Sequence, residues 1–220
     1  MKKLPMRVAD KVFESLRYIQ PFDIDMIEMH ICDKLKNNKN KLDEVFEKRD
    51  KRYKNTIQYA LSDGEDGESE QEIIDRTTHS LNAEMGVAYI LGGINGIFAW
   101  LDNIDISFDV PTDNFNIEIK ASFAHWPTMH TAGAAPFGRS TGLSLYSGLV
   151  GKTDVYLIFN ITEYNGRFYY NPNYFFTKRA LQTYPHMIAT AKRGGGAYIQ
   201  PEHNMYTYFY RNWCQQRKIN

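Results

Sequence analysis

The 220-residue sequence contains little of what marks secreted, disulfide-stabilised or membrane proteins. Its two cysteines, Cys32 and Cys214, are too few for a disulfide scaffold or a cysteine-based zinc site. No uninterrupted apolar run approaches the ~18 residues that a membrane span needs, and no apolar signal segment follows the N-terminal residues. These absences predict a cytoplasmic protein that does not enter a membrane.

The sequence also has no net charge, because 26 Lys and Arg side chains balance 26 Asp and Glu side chains. A uniformly basic protein that coats nucleic acid is therefore excluded. The charges are unevenly spread: segment 63–75 is acidic and has no base, whereas from Lys178 to the end Glu202 is the one acid among seven Lys and Arg side chains. A basic segment rich in aromatic residues is typical of a surface that binds a polyanion, although an ordinary solvated face has the same composition.

Apolar residues recur at helical spacing in the first part of the chain. Three segments, 9–20, 23–36 and 42–61, show this pattern and precede an acidic Gly/Ser-containing loop at 62–70. We interpret residues 1–69 as an N-terminal helical region that caps the rest of the protein or forms a dimerisation element.

The pattern changes after residue 70. A predicted helix at 70–91 ends at Gly92-Gly93, and short β-rich runs follow it at 97–101, 104–110, 115–122, 155–161 and 167–170. This order predicts an α/β (α+β) fold with a central mixed β-sheet flanked by helices. Residues 70–220 would form this core and a C-terminal recognition segment.

The segment from Ile104 to Ser122 carries the densest group of chemically useful residues. Asp113-Asn114 suits the turn of a β-hairpin, and counting outward from it places Asp109 opposite Glu118. Opposed residues share a face of the sheet with Cβ atoms ~5 Å apart, and strand alternation puts Lys120 on that face too. The register could slip by two residues, and Asp105, which strand alternation puts on the same face, stays an alternative to Asp109.

These residue types suit phosphodiester hydrolysis. Two carboxylates so close together cannot both stay ionised in a half-buried site without a cation. Mg²⁺ is a suitable one, since it binds one or two carboxylates together with substrate phosphate. A lysine beside them can orient or help deprotonate a water and stabilise charge on a phosphoryl oxygen.

A further carboxylate lies upstream on the predicted helix 70–91. Glu84 falls within the apolar stripe formed by Leu81, Ala88 and Leu91. A carboxylate that points at a core is costly unless it is paired or bound to a metal. Glu84 is therefore a candidate fourth member of the site, and the alternative is a partly exposed glutamate at the edge of a wide stripe.

The order of these residues resembles the PD-(D/E)xK nuclease superfamily. Glu84 lies on a helix, Asp109 on one predicted strand and Glu118-Ile-Lys120 on the next, and the segment IEIKAS is similar to that family's most recognisable strand. No proline precedes Asp105 or Asp109, which departs from the family pattern. The resemblance covers residues 75–122 closely and extends loosely to Tyr170.

The resemblance implies a Mg²⁺-dependent type II restriction endonuclease, a homodimer that cleaves double-stranded DNA at a short sequence within a restriction-modification system. Asp109, or Asp105 in its place, and Glu118 would bind the metal. Lys120 would position the attacking water, and Glu84 would support the metal or bind a second one.

Candidate DNA contacts follow from residue type in two glycine-containing segments. Lys192 suits a phosphate contact, Arg193 a guanine edge and Gln200 an adenine edge. Arg139 and Ser140 are candidates for further backbone or base contacts.

Two alternatives stay open at this point. The protein could be a nuclease that resolves Holliday junctions or repairs damaged DNA, and that prefers branched or damaged substrates. It could also be a non-catalytic DNA-binding or inhibitor protein, in which the acidic pair is an ordinary hairpin feature.

Overall fold

The computed structural model describes residue 16 and residues 19–63, 69–105, 108–123, 153–177, 188–190 and 197–199. Within these ranges, the helices are α1 (Ile24–Leu35), α2 (Lys39–Ser62) and α3 (Glu70–Leu101). The strands are β1 (Phe22–Asp23), β2 (Val110–Pro111), β3 (Asn116–Ser122), β4 (Val155–Tyr164), β5 (Arg167–Thr177), β6 (Ile188–Thr190) and β7 (Ala197–Ile199).

Each helix begins after a capping residue. The side chain of that residue accepts a hydrogen bond from a first-turn backbone N–H that has no partner within the helix. Asp23 caps α1, Asn38 caps α2, and Ser69 forms a reciprocal capping box with Glu72 at the start of α3. Helices α1 and α2 confirm the predictions at 23–36 and 42–61. The helix predicted at 9–20 lies almost entirely outside the described residues.

Helix α3 continues well beyond its predicted end. It passes through a kink at Gly93, whose φ of 57° and ψ of −142° are not helical, and it ends at Leu101. The strand predicted at 97–101 is therefore wrong. Gly93 changes the direction of the helix without ending it, and a short apolar run cannot distinguish a buried helix from a strand.

Because the stretch after the kink is helical, α3 is long and apolar enough, by length and composition, to span a membrane. The sequence analysis did not predict a helix of this length and hydrophobicity, because it treated the apolar run as interrupted. In the fold, α3 buries Met85, Val87, Ile97 and Trp100 and packs against β2, β3 and the other two helices. The core helix of a folded protein passes the same test, and α3 has that position here.

The sheet has five strands in the order β1-β5-β4-β3-β2. Strands β3 and β4 are parallel, and the other neighbours are antiparallel. Asn165 and Gly166, both with positive φ, form the turn between β4 and β5. A mixed sheet with flanking helices confirms the predicted α+β fold, and β6 and β7 form a separate pair.

The hairpin before β3 keeps the predicted register but has a shorter first strand. Val110 pairs with Ile117 and Pro111 with Asn116, so continuing the ladder by one residue sets Asp109 opposite Glu118. Residues 104, 105, 108 and 109 do not lie in a strand, so for these described residues the strand predicted at 104–110 is wrong. Asn103 holds this stretch as a loop, because its side-chain amide donates to the carbonyl oxygens of Asp105 (3.3 Å), Phe108 (3.1 Å) and Asp109 (3.4 Å).

Gly96 offers a test of how α3 packs after its kink. A Cβ at Gly96 would overlap the carbonyl oxygen of Ala88, whereas a Cβ at Gly92 would meet nothing within 4 Å. We expect Gly96→Ala to lower the free energy of unfolding by about 1–3 kcal/mol, because the two halves of the helix must separate. Gly92→Ala should be neutral or stabilise by up to about 1 kcal/mol through helix propensity. Urea denaturation of both variants measures the difference, and equal stabilities would contradict this packing.

Candidate active site

Four of the predicted site residues meet near the β2 edge of the sheet. Glu84 lies on α3, Asp109 immediately precedes β2, and Glu118 and Lys120 lie on β3. They are close enough for their charges to interact: Glu118, Asp109 and Glu84 all act on Lys120, and Asp109 acts on Glu84. The tertiary fold thus joins the helix carboxylate to the residues of the hairpin.

Asp109 is held by the backbone of β3. Strand β2 pairs with β3 only through Val110 and Pro111, so the ladder ends before Ile119. Beyond the ladder, the side chain of Asp109 supplies the hydrogen-bond acceptor that a neighbouring strand would otherwise supply. Its Oδ2 accepts a hydrogen bond from the N–H of Ile119 at 2.6 Å. A backbone N–H within the fold needs such a partner, and the bond fixes the carboxylate at this edge.

Glu118 and Lys120 point to the same face of β3, as strand alternation requires. Lys120 Nζ donates to Glu118 Oε1 at 2.6 Å. Glu118 is buried and Lys120 is partly buried, whereas Ile117 and Ile119 are fully buried and alternate with them along the strand. The apolar residues thus anchor the strand while the charged pair lies beside Asp109.

Glu84 is buried, and two donors bond one of its oxygens. Trp100 Nε1 donates to Glu84 Oε2 at 3.0 Å, and Arg52 Nη2 donates to the same oxygen at 3.4 Å. Arg52 comes from α2 and also lies over the Trp100 ring, with its Cζ 4.8 Å from the ring centroid. The N-terminal helical region therefore contributes a side chain to this cluster.

The sequence analysis missed Arg52. A signal was present, because Arg52 is seven residues after the buried Val45 and so belongs to the inward face of α2. An arginine on that face needs an acceptor. Nothing local in the sequence shows that the acceptor is Glu84, which lies 32 positions further along the chain.

Burial makes the carboxylates of the cluster hard to ionise. It raises the pKa of Glu84 to about 8, and the charge of Asp109 adds to the effect, while the bonds from Trp100 and Arg52 oppose it. Burial also raises the pKa of Glu118 to about 7 and that of Asp109 above its usual range, with Lys120 opposing both shifts. A cation placed among these oxygens would remove this penalty.

Lys120 stays protonated in this surrounding. Burial by itself would lower its pKa, but Glu118, Asp109 and Glu84 together outweigh burial and raise the pKa of the ammonium group. Lys120 can therefore donate hydrogen bonds and stabilise negative charge near neutral pH, and it is a poor proton acceptor.

Asp109 and Glu118 would suit a magnesium ion held by two protein carboxylates. Among the residues that the structure describes, no three His, Cys, Asp or Glu side chains are grouped so as to hold a metal ion. Asp109 and Glu118 are hard oxygen donors at one edge of the sheet, and each has a pKa raised by burial. Mg²⁺ commonly takes one or two carboxylates and completes its shell with water and substrate phosphate.

Asp105 lies in the loop between α3 and β2 and not on a strand. Its backbone N–H donates to Asn103 Oδ1 at 3.0 Å. The slipped register is wrong, because Val110 pairs with Ile117. A role for Asp105 in metal binding stays a prediction.

The predicted DNA contacts lie outside the described residues. This applies to Arg139, Ser140, Lys192, Arg193 and Gln200.

A comparison with protein families shows the class of the protein, which is a DNA endonuclease. The chain belongs to the bacteriophage T4 endonuclease IV family, whose model matches residues 4–201. Comparisons with curated proteins and with solved structures gave no significant match. The family assignment confirms the prediction of a nuclease that acts on DNA.

The raised pKa of Glu84 predicts that the metal-free protein becomes less stable as pH rises. A glutamate in the unfolded chain has a pKa of about 4.3, whereas Glu84 in the folded protein has a pKa of about 8. Between these two pH values the folded state binds the Glu84 proton more tightly than the unfolded state does. The free energy of unfolding should therefore fall across this range. In EDTA, Glu84→Gln should show a smaller fall than the wild type, and the exposed Glu163→Gln variant serves as control. Urea denaturation at pH 5, 6.5 and 8 tests this, and parallel curves for the wild type and Glu84→Gln would contradict it.

Proposed function

We propose that the protein is a Mg²⁺-dependent endonuclease with a site of the PD-(D/E)xK type. Asp109 and Glu118 would hold the metal, with Glu84 supporting them from α3. The observation that carries the proposal is the Lys120–Glu118 pair, 2.6 Å apart, beside an aspartate that is bonded to the same strand.

The mechanism relies on charge stabilisation. When bound, Mg²⁺ would neutralise the scissile phosphate and polarise a water. Lys120 donates hydrogen bonds to the attacking water or to a phosphoryl oxygen, where negative charge develops in the transition state. In the metal-free site the three carboxylates raise the pKa of Lys120, so the side chain there is a hydrogen-bond donor that can orient and stabilise. The hydrogen bond from Ile119 holds Asp109 in place while the substrate binds.

The proposed substrate is double-stranded DNA, cut at a defined sequence by a homodimer in the manner of a type II restriction enzyme. This part rests on the likeness of the Glu118–Lys120 strand to those enzymes. Lys192, Arg193, Gln200, Arg139 and Ser140 stay predictions for contacts with DNA. A preference for branched or damaged DNA is the competing proposal.

Lys120 provides a direct test of the mechanism. We expect Lys120→Ala to lower the rate of DNA cleavage by about 10²–10³-fold, because it removes a donor aimed at developing charge. DNA affinity should stay within about threefold of the wild type. The measurement is single-turnover cleavage with excess enzyme, paired with a binding assay in EDTA. Lys54→Ala, at an exposed position on α2, is the matched control and should cleave at the wild-type rate.

The role of Mg²⁺ and the form of the substrate can be tested together. Phage-length duplex DNA, single-stranded DNA and a four-way junction are incubated with Mg²⁺ or with EDTA. We expect discrete fragments from the duplex with Mg²⁺ only, and none with Glu118→Gln, because that variant loses a metal ligand. Mg²⁺ should raise the melting temperature of the wild type but not that of Glu118→Gln.

The control for this experiment is Asp113→Asn, which removes an exposed carboxylate from the turn of the same hairpin. It should cleave and respond to Mg²⁺ like the wild type. Cleavage in EDTA would refute the metal proposal, and exclusive cleavage of the junction or of single strands would replace the duplex proposal.

A further inference from the structure

We propose that Arg52 is a positioning residue of the active site, through which the N-terminal helical region sets the place of Glu84 and of the loop that carries Asp109. This inference rests on the proposed function of that site. It gives helix α2 a part in DNA cleavage, in addition to any role as a cap or a dimerisation element.

The guanidinium group of Arg52 connects the two halves of the kinked helix α3. Nη2 bonds Glu84, which precedes the kink at Gly93, at 3.4 Å. Nη1 bonds the carbonyl oxygens of Trp100 at 3.0 Å and Asn103 at 3.1 Å, both beyond the kink. Carbonyls at the end of a helix lack partners within the helix and carry partial negative charge, so a cation is favoured there.

Asn103 carries the connection on to Asp109. Its carbonyl oxygen accepts from Arg52, while its side-chain amide donates to the carbonyl oxygens of Phe108 (3.1 Å) and Asp109 (3.4 Å). One arginine thus contacts Glu84 directly and the loop of Asp109 through a single intermediate residue. Movement of Arg52 would shift two acidic groups relative to Lys120.

A lysine cannot replace this arginine. The planar guanidinium group presents several donors in a fixed fork, and here it makes three hydrogen bonds while it stacks on Trp100. An ammonium group retains the charge, but it lacks the fork and the flat face. Arg52→Lys therefore keeps a cation near Glu84 and loses the geometry.

Arg49 is a closely matched comparison on the same helix. Its side chain is 19% exposed against 20% for Arg52, and it too lies over an aromatic ring, that of Phe46 at 4.6 Å. Its ion pairs, however, are with Glu28 on α1 and with Asp50, away from the acidic cluster. Any effect of Arg52 that Arg49 does not share comes from the contact with the site.

The test compares Arg52→Lys with Arg49→Lys. We expect Arg52→Lys to lower kcat about 10–100-fold, as is common when a residue that orients site ligands is changed. KM for DNA and DNA affinity in EDTA should stay within about twofold of the wild type. Arg49→Lys should leave kcat and KM unchanged. Melting temperatures of both variants identify any loss from unfolding.

Trp100→Phe provides a second variant in case Arg52→Lys fails to fold. It keeps an aromatic ring at this buried position and removes the Nε1 donor to Glu84, together with part of the ring volume, so its melting temperature is measured as well. We expect a loss in kcat without a change in KM here as well. In the double variant the two losses should be less than additive, because both residues act on the same carboxylate oxygen.

The outcomes separate this inference from the proposed function. All rates are measured under the condition, with a given cation or with EDTA, in which the wild type cleaves fastest. Cleavage without Mg²⁺ would therefore refute the metal proposal, but the comparison of the two arginine variants would still be valid. Wild-type kcat in Arg52→Lys would overturn the inference. Equal losses in Arg49→Lys and Arg52→Lys would also overturn it, since the effect would then belong to helix packing.

Discussion

The structure depends on the burial of acidic groups beside a single lysine. Glu84, Asp109 and Glu118 all have pKa values raised by burial, and Lys120 lies among them as a cation. Ionised carboxylates out of water are costly unless they are paired or bound to a metal. Each nearby bond, from the backbone of Ile119 to the indole of Trp100, reduces that cost and at the same time fixes an oxygen in place.

Two glycines let one helix serve both the core and the site. The kink at Gly93 turns the chain, and the absence of a side chain at Gly96 lets the second half approach Ala88. Trp100 can then reach back to Glu84 on the first half of the same helix. A straight helix would separate residues 84 and 100 by about 24 Å at 1.5 Å per residue, which is too far for this bond. The shape of the helix is thus a condition for the buried glutamate.

The architecture also links regions that the sequence separates. Helix α2, part of the predicted N-terminal helical region, supplies Arg52 to a cluster whose other members lie on α3 and on the hairpin. Through this contact, the packing of the helices and the placement of the acidic groups depend on one another. The family match, which runs from residue 4 to residue 201, includes all of these elements.

The sequence by itself determined what depends on near neighbours along the chain. The Asp113-Asn114 turn favoured the register that the structure shows, although a slip by two residues stayed open, and the shared face of Glu118 and Lys120 followed from strand alternation. Only the tertiary structure decided that the apolar run at 97–101 is a helix and not a strand. It also decided that Arg52 contacts Glu84. Such outcomes depend on which surfaces pack together across long separations, and local residue patterns do not carry that information.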